Sequence, residues 1–98
     1  MRLELDARRL ARAVVAAHDA YEARRSELER LSESAIPAAA RTLAFAEAGW
    51  QAGRFDVFRL LTATRDALRL RANRIDVLEA AWIARIDLER AVGGEVST

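Results

Sequence analysis

Gly49-Trp50-Gln51-Ala52-Gly53-Arg54-Phe55-Asp56, followed at once by Val57-Phe58-Arg59-Leu60-Leu61-Thr62-Ala63, separates two long runs rich in alanine and arginine. Two glycines four residues apart lower helix propensity and permit a backbone with φ > 0, so a tight reversal is expected here. Asp56 is placed to cap a following helix by accepting hydrogen bonds from the next backbone amides. Two long helical runs joined by one short turn must pack side by side, and the fold expected is an all-α, long antiparallel helical hairpin of coiled-coil type.

The run before the turn covers about 3–48. Its apolar residues follow a three-four spacing through Ala7, Leu10, Val14, Ala17, Tyr21, Leu28, Leu31 and Ala35. Only Arg24 interrupts this seam, and its long stem can still cover apolar surface. The spacing continues through Ile36, Ala39, Leu43, Ala46 and Trp50. Pro37 lies inside the run, after the polar Ser32-Glu33-Ser34. A proline there removes one backbone donor and clashes with the carbonyl four residues earlier, so a kink is expected near Pro37 in preference to two separate helices.

The run after the turn covers about 56–92. Leu61, Leu68, Ile75 and Trp82 recur every seven residues, supported by Val57, Leu78 and Ile86, and form the expected main seam. Leu60, Ala63, Ala67 and Leu70 make a second apolar face, and Ala13, Ala20 and Ala38 add small residues to the first run. Small second faces point to further helices. Gly93-Gly94 should end the second helix, leaving 93–98 as a frayed tail of a single segment spanning 1–98. At about 1.5 Å per residue, helices of about 45 and 37 residues would be about 70 and 55 Å long.

Composition agrees with helices. The 98 residues are 52% hydrophobic and 6% aromatic, with one proline and four glycines. The absence of cysteine rules out disulfides, thiolate catalysis and cysteine-ligated metals. All 16 basic residues are arginine, set against 15 acids for a net charge of +1. The two signs are interleaved along both runs and do not gather into a basic stripe, so no nucleic-acid partner is expected. Acids in Met1-Arg2-Leu3-Glu4-Leu5-Asp6 break up any apolar leader, and no apolar run nears the roughly 20 residues of a membrane-spanning helix.

The turn carries two aromatic residues at the end of a rod, where little core exists. Trp50 is in phase with the first seam, which favours folding back as a plug. Phe55 is out of phase and fits a plug or an exposed contact surface equally well.

An aromatic, two residues, a glycine and then Leu-Leu-x-Ala is the arrangement here as Trp50-x-x-Gly53 and Leu60-Leu61-x-Ala63. It resembles the periplasmic tip of the TolC-like outer-membrane efflux proteins. Ile36-Pro37-x-Ala39 upstream is similar to their CzcC and CusC branch, and Ile86-Asp87-Leu88-Glu89-Arg90-Ala91-Val92-Gly93 resembles the close of their last long helix. The likeness covers nearly the whole chain.

The resemblance implies a trimeric channel, with an outer-membrane β-barrel continuing into a periplasmic α-barrel of hairpins. Their tips dock on a periplasmic adaptor protein, and through it on an inner-membrane pump that exports metal ions or other toxic solutes. On this likeness Trp50, Gly53, Arg54, Phe55 and Asp56 form the adaptor-docking tip, and Asp56, Arg59 and Thr62 face the pore. The family more often has tyrosine where Trp50 stands, and an acid where Thr62 stands. Strands, a leader and a companion hairpin are not in these residues, so the chain resembles the C-terminal portion of such a channel.

No nucleophile–base pair, phosphate-binding glycine loop or metal cluster is legible, and neither an enzyme nor a bound cofactor or metal is expected. His18 is the only histidine and reads as an ordinary helix position. Asp76 and Glu79 form a repulsive surface pair, and Glu27 and Arg30 an attractive one. The alternative is a free-standing hairpin that self-associates into a four-helix bundle through its alanine-rich second faces. An amphipathic membrane-surface helix fits poorly, because the polar faces are mixed in sign.

Overall fold

The computed structural model describes residues 2–97. The fold is the all-α antiparallel hairpin. Helix α1 spans Arg2–Arg30, a five-residue π-helical turn covers Leu31–Ala35, α2 spans Ile36–Gln51, and α3 runs Val57–Ser97. The chain forms two compact units, one made of 28–76 and one of 1–27 with 77–98.

In the 28–76 unit, Pro37 sits in the first turn of α2, directly after the π turn. The carbonyl with which its ring would collide belongs to Glu33, inside the π turn. There the Ile36 N–H donates to the Leu31 carbonyl, five residues back, and Arg30, Ala35 and Ile36 all keep right-handed helical dihedrals. One wider turn thus makes room for the ring, and the expected kink takes the form of a π turn just upstream of the proline.

Contacts across this unit use small residues. Leu31, Ala46 and Gly49 are buried on one helical run, and Ala63 on the other, with Leu60, Thr64, Ala67 and Leu70 half-buried around it. Arg74 Nε donates to Ser32 Oγ at 2.8 Å, tying α3 to the π turn. In the other unit Leu10, Val14, Ala17 and Tyr21 are half-buried on α1, opposite a buried Val77, Ala81 and Ala84 on α3. Gly94 lies near Leu10, whose Cδ2 would be 3.9 Å from a Cβ added there.

These contacts invert the seam expected on the second helix. Leu61, Leu68, Ile75 and Trp82 are 45%, 59%, 63% and 56% exposed, and Val57, Leu78 and Ile86 are exposed as well. The second face, through Leu60, Ala63, Ala67 and Leu70, is the one turned inward. The reason is steric: helix axes approach within the 8–10 Å packing range more closely when the facing residues are alanines, so backbone and Cβ atoms gain contacts that larger side chains would hold apart. Ala13, Ala20 and Ala38 remain exposed on the other run.

The end of α3 also differs from expectation. The helix passes through Gly93 and Gly94 to Ser97, so neither glycine stops it, and Thr98 lies outside the described residues. Surface ion pairs are local: Glu27 pairs with Arg24 at 3.0 Å, not with the expected Arg30, and Arg85 pairs with Glu89 at 3.4 Å. Pairs of this kind contribute little to stability.

The inverted seam is open to a stability test. Ala63→Leu should destabilise the hairpin by roughly 1–3 kcal/mol through overpacking. Phe58→Ala, at an exposed position, should change stability by less than about 0.5 kcal/mol. Thermal and urea unfolding followed by circular dichroism would measure both, and the opposite ranking would overturn the assigned seam.

Candidate functional site: the hairpin tip

The reversal is built from a helix stop and a helix start placed back to back. At the end of α2 the Gly53 N–H donates to the Trp50 carbonyl at 3.0 Å, and the Arg54 N–H to the Gly49 carbonyl at 2.8 Å. This pair of bonds, with a left-handed residue just past the helix, is a Schellman stop. Gly53 fills that position at φ 72°, the only positive φ among the described residues. Three residues later Asp56 starts α3: its Oδ1 accepts from the Arg59 N–H at 3.1 Å, as the sequence led one to expect.

Gly49 serves a different purpose from the one expected. It stays helical within α2, is buried, and gives no help with φ. A Cβ added there would collide with the Phe55 ring. The missing side chain is therefore a notch into which Phe55 folds. The Phe55 N–H also donates to the Gly49 carbonyl at 3.2 Å. Phe45 packs against the same ring with centroids 5.3 Å apart, and the Arg59 guanidinium covers it at 3.8 Å from its centroid. Phe55 is thus held by Gly49, Phe45 and Arg59.

Of the two tip aromatics, Trp50 departs from the plug role expected of it, and Phe55, for which both roles stood open, takes that role. Phe55 is the plug. Trp50 is 46% exposed, because Gly49 takes the inward position that spacing assigned to Trp50. Gly53 is exposed with nothing within 4 Å of where a Cβ would stand, and Arg54 is exposed beside it.

The Asp56 carboxylate caps α3, and the Arg59 side chain lies on Phe55. Thr62 lines a shallow groove with Phe45, Ala46, Phe58 and Ala63. Phe45 and Phe58, both strongly exposed, were not singled out from sequence, although a phenylalanine on each side of the turn was a usable signal. A second groove is lined by Ile36, Leu43, Ala67 and Leu68.

No described helix is long and apolar enough to cross a membrane, and no group of three or more metal-ligating side chains comes together among the described residues. His18 sits exposed on α1 with its Nδ1 3.7 Å from Asp19 Oδ1. Comparison of the chain with protein-family models, with curated proteins and with solved structures finds no match.

Three substitutions check the construction of the tip. Gly49→Ala should cost roughly 1–3 kcal/mol by driving Phe55 out of its notch. Most of that loss should disappear when Gly49→Ala is made in a Phe55→Ala background, a coupling readable in a double-mutant cycle. Asp56→Ala should cost about 1 kcal/mol through loss of the cap and should show no such coupling to Gly49.

Proposed function

We propose that this hairpin is a periplasmic wall element of a TolC-like efflux channel, and that its tip is the surface recognised by a periplasmic adaptor. The reading begins from the residue order Trp50-x-x-Gly53 and Leu60-Leu61-x-Ala63, and the tip geometry supports it. What carries it is the division of labour between the two tip aromatics. Phe55 is used up in holding the turn, while Trp50 stands outward beside the bare backbone of Gly53 and the free guanidinium end of the loop at Arg54. An exposed tryptophan and arginine on a stiff turn are what a protein-binding hot spot needs, because little ordering entropy remains to be lost on docking.

A second observation fits a wall element. Leu61, Leu68, Ile75 and Trp82 of α3 are left outside the hairpin, so this helix has a face for neighbouring helices in addition to the one it turns inward. In the proposed channel, three copies would supply hairpins to the barrel, the tips would meet the adaptor, and the adaptor would connect them to an inner-membrane pump. The hairpin's part is passive: it bounds the conduit and docks. Metal ions or other toxic solutes would be cargo, not ligands of this segment. Asp56 and Arg59 are committed to the tip structure, which leaves Thr62 as the candidate for a pore-facing residue.

The test uses the protein in its own cells. A photo-reactive phenylalanine analogue in place of Trp50 should form an adduct with a periplasmic adaptor subunit, and Trp50→Ala should reduce adaptor capture at least about tenfold. Gly53 alone is a poor probe, since its positive φ strains most side chains whatever the partner; Gly53→Asn, which tolerates that backbone, should keep helix content unchanged. Adducts formed only with cytoplasmic proteins would overturn the reading.

A further inference from the structure

The groove that holds Thr62 combines bare aromatic surface with unanswered positive charge. Phe45 on α2 and Phe58 on α3 form its walls, 62% and 73% exposed, over the buried Ala46 and Ala63. Its volume of about 360 Å³ lies near the lower end of the roughly 300–1,000 Å³ typical of small-molecule sites. Arg59 lines it toward the tip and Asp66 away from the tip, about 10 Å apart along α3. All of these residues belong to the 28–76 unit.

The charge around the groove is one-sided. Arg65 and Arg69 follow Phe58 and Thr62 by seven residues, and Arg41 precedes Phe45 by four. These spacings put all three arginines on the groove side of their helices. With Arg59 they surround a groove in which Asp66 is the one lining acid. All four arginines are exposed, and none makes an ion pair among the described residues. The Arg59 guanidinium covers the Phe55 ring, and no side chain accepts from its N–H groups among the described residues. Thr62, three residues further on, also keeps its hydroxyl unbonded, whereas Thr42 donates to the Ala38 carbonyl at 3.1 Å.

We infer that this groove binds a small apolar organic anion, an aryl or alkyl carboxylate or sulfonate. The head group accepts charge-assisted hydrogen bonds from Arg59 and a further one from Thr62. The apolar body lies between Phe45 and Phe58, removing from water two rings that the hairpin itself leaves bare. Asp66 sets the far limit: it repels a second negative group there, so the ligand is a monoanion with an apolar far end. An inorganic anion would leave both phenylalanines in water, and an organic cation would meet four arginines. The inference does not rest on the channel reading, since Trp50, Gly53 and Arg54 take no part in the groove.

Titration of the whole purified chain with anilinonaphthalene sulfonate, read by dye fluorescence, tests the groove. The dye should bind at least about tenfold more tightly than the same ring system without its sulfonate. Octanoate should displace it and octylammonium should not. Phe58→Ala should raise the dissociation constant at least about tenfold with circular dichroism unchanged, because the ring is exposed. Arg59→Gln should weaken binding to a similar degree. Since Arg59 also steadies Phe55, Thr62→Val and Asp66→Asn supply readings that leave the tip intact: the first should weaken binding, and the second should tighten it or leave it unchanged. Ile75→Ala, which removes an exposed apolar side chain outside this groove, should have no effect. No binding, equal binding of the uncharged ring system, displacement by octylammonium, or equal losses in Phe58→Ala and Ile75→Ala would each overturn the proposal.

Discussion

The close approach of two helices through alanine and glycine is the constraint on which the structure depends. Ala46 and Ala63 in one unit, and Ala81 and Ala84 in the other, are among the most buried residues of the chain. A seam of methyl groups removes little apolar area per residue, but it brings the backbones near enough for many weak contacts. The consequence is distributive. Once the inner seam is built around small residues, Leu61, Leu68, Ile75 and Trp82 of α3 lie outside it, and their burial has to come from association. A small inner seam and a large outer face are therefore two sides of one choice.

The tip shows the same economy of side chains at a single position. Gly49 contributes nothing by its own conformational freedom; what matters is the absence of a Cβ under the Phe55 ring. With Phe55 seated, the Schellman stop at Gly53 and the Asp56 cap are separated by a short, fully specified loop. Trp50, one residue beyond the notch, is then turned outward. The outward tryptophan and the notch follow from the same half-turn of helix, which links the geometry of the turn to the proposed docking surface. Function in this segment, on that reading, is a matter of what the packing leaves uncovered.

Much of this was legible in the sequence, and the parts that were not share a physical cause. The seven-residue period of Leu61, Leu68, Ile75 and Trp82 identified a real stripe, but periodicity measures how apolar a face is and not what covers it. The alanine face is the weaker signal by hydrophobicity and the stronger one by shape. Trp50 and Gly49 are adjacent, both fit the three-four spacing after Ala46, and only the Phe55 ring decides between them. Gly93-Gly94 read as a stop because glycine often ends helices, yet such a stop needs a chain that leaves the helix, and here the helix goes on to Ser97. Pro37 was read correctly as a disturbance; that it would appear as a π turn depended on how the carbonyl of Glu33 could be moved aside.

Composition and spacing alone determined the helical class, the place of the reversal, the Asp56 cap and the residues of the apolar stripe, because these depend on local propensity and on the period of a single helix. Which face of α3 turns inward, which tip aromatic is buried and how the proline is absorbed were settled only in the tertiary structure. The first two choices are contests between sterically possible contacts across the hairpin, decided by how closely two backbones can approach; the third depends on where one turn can widen beside the ring.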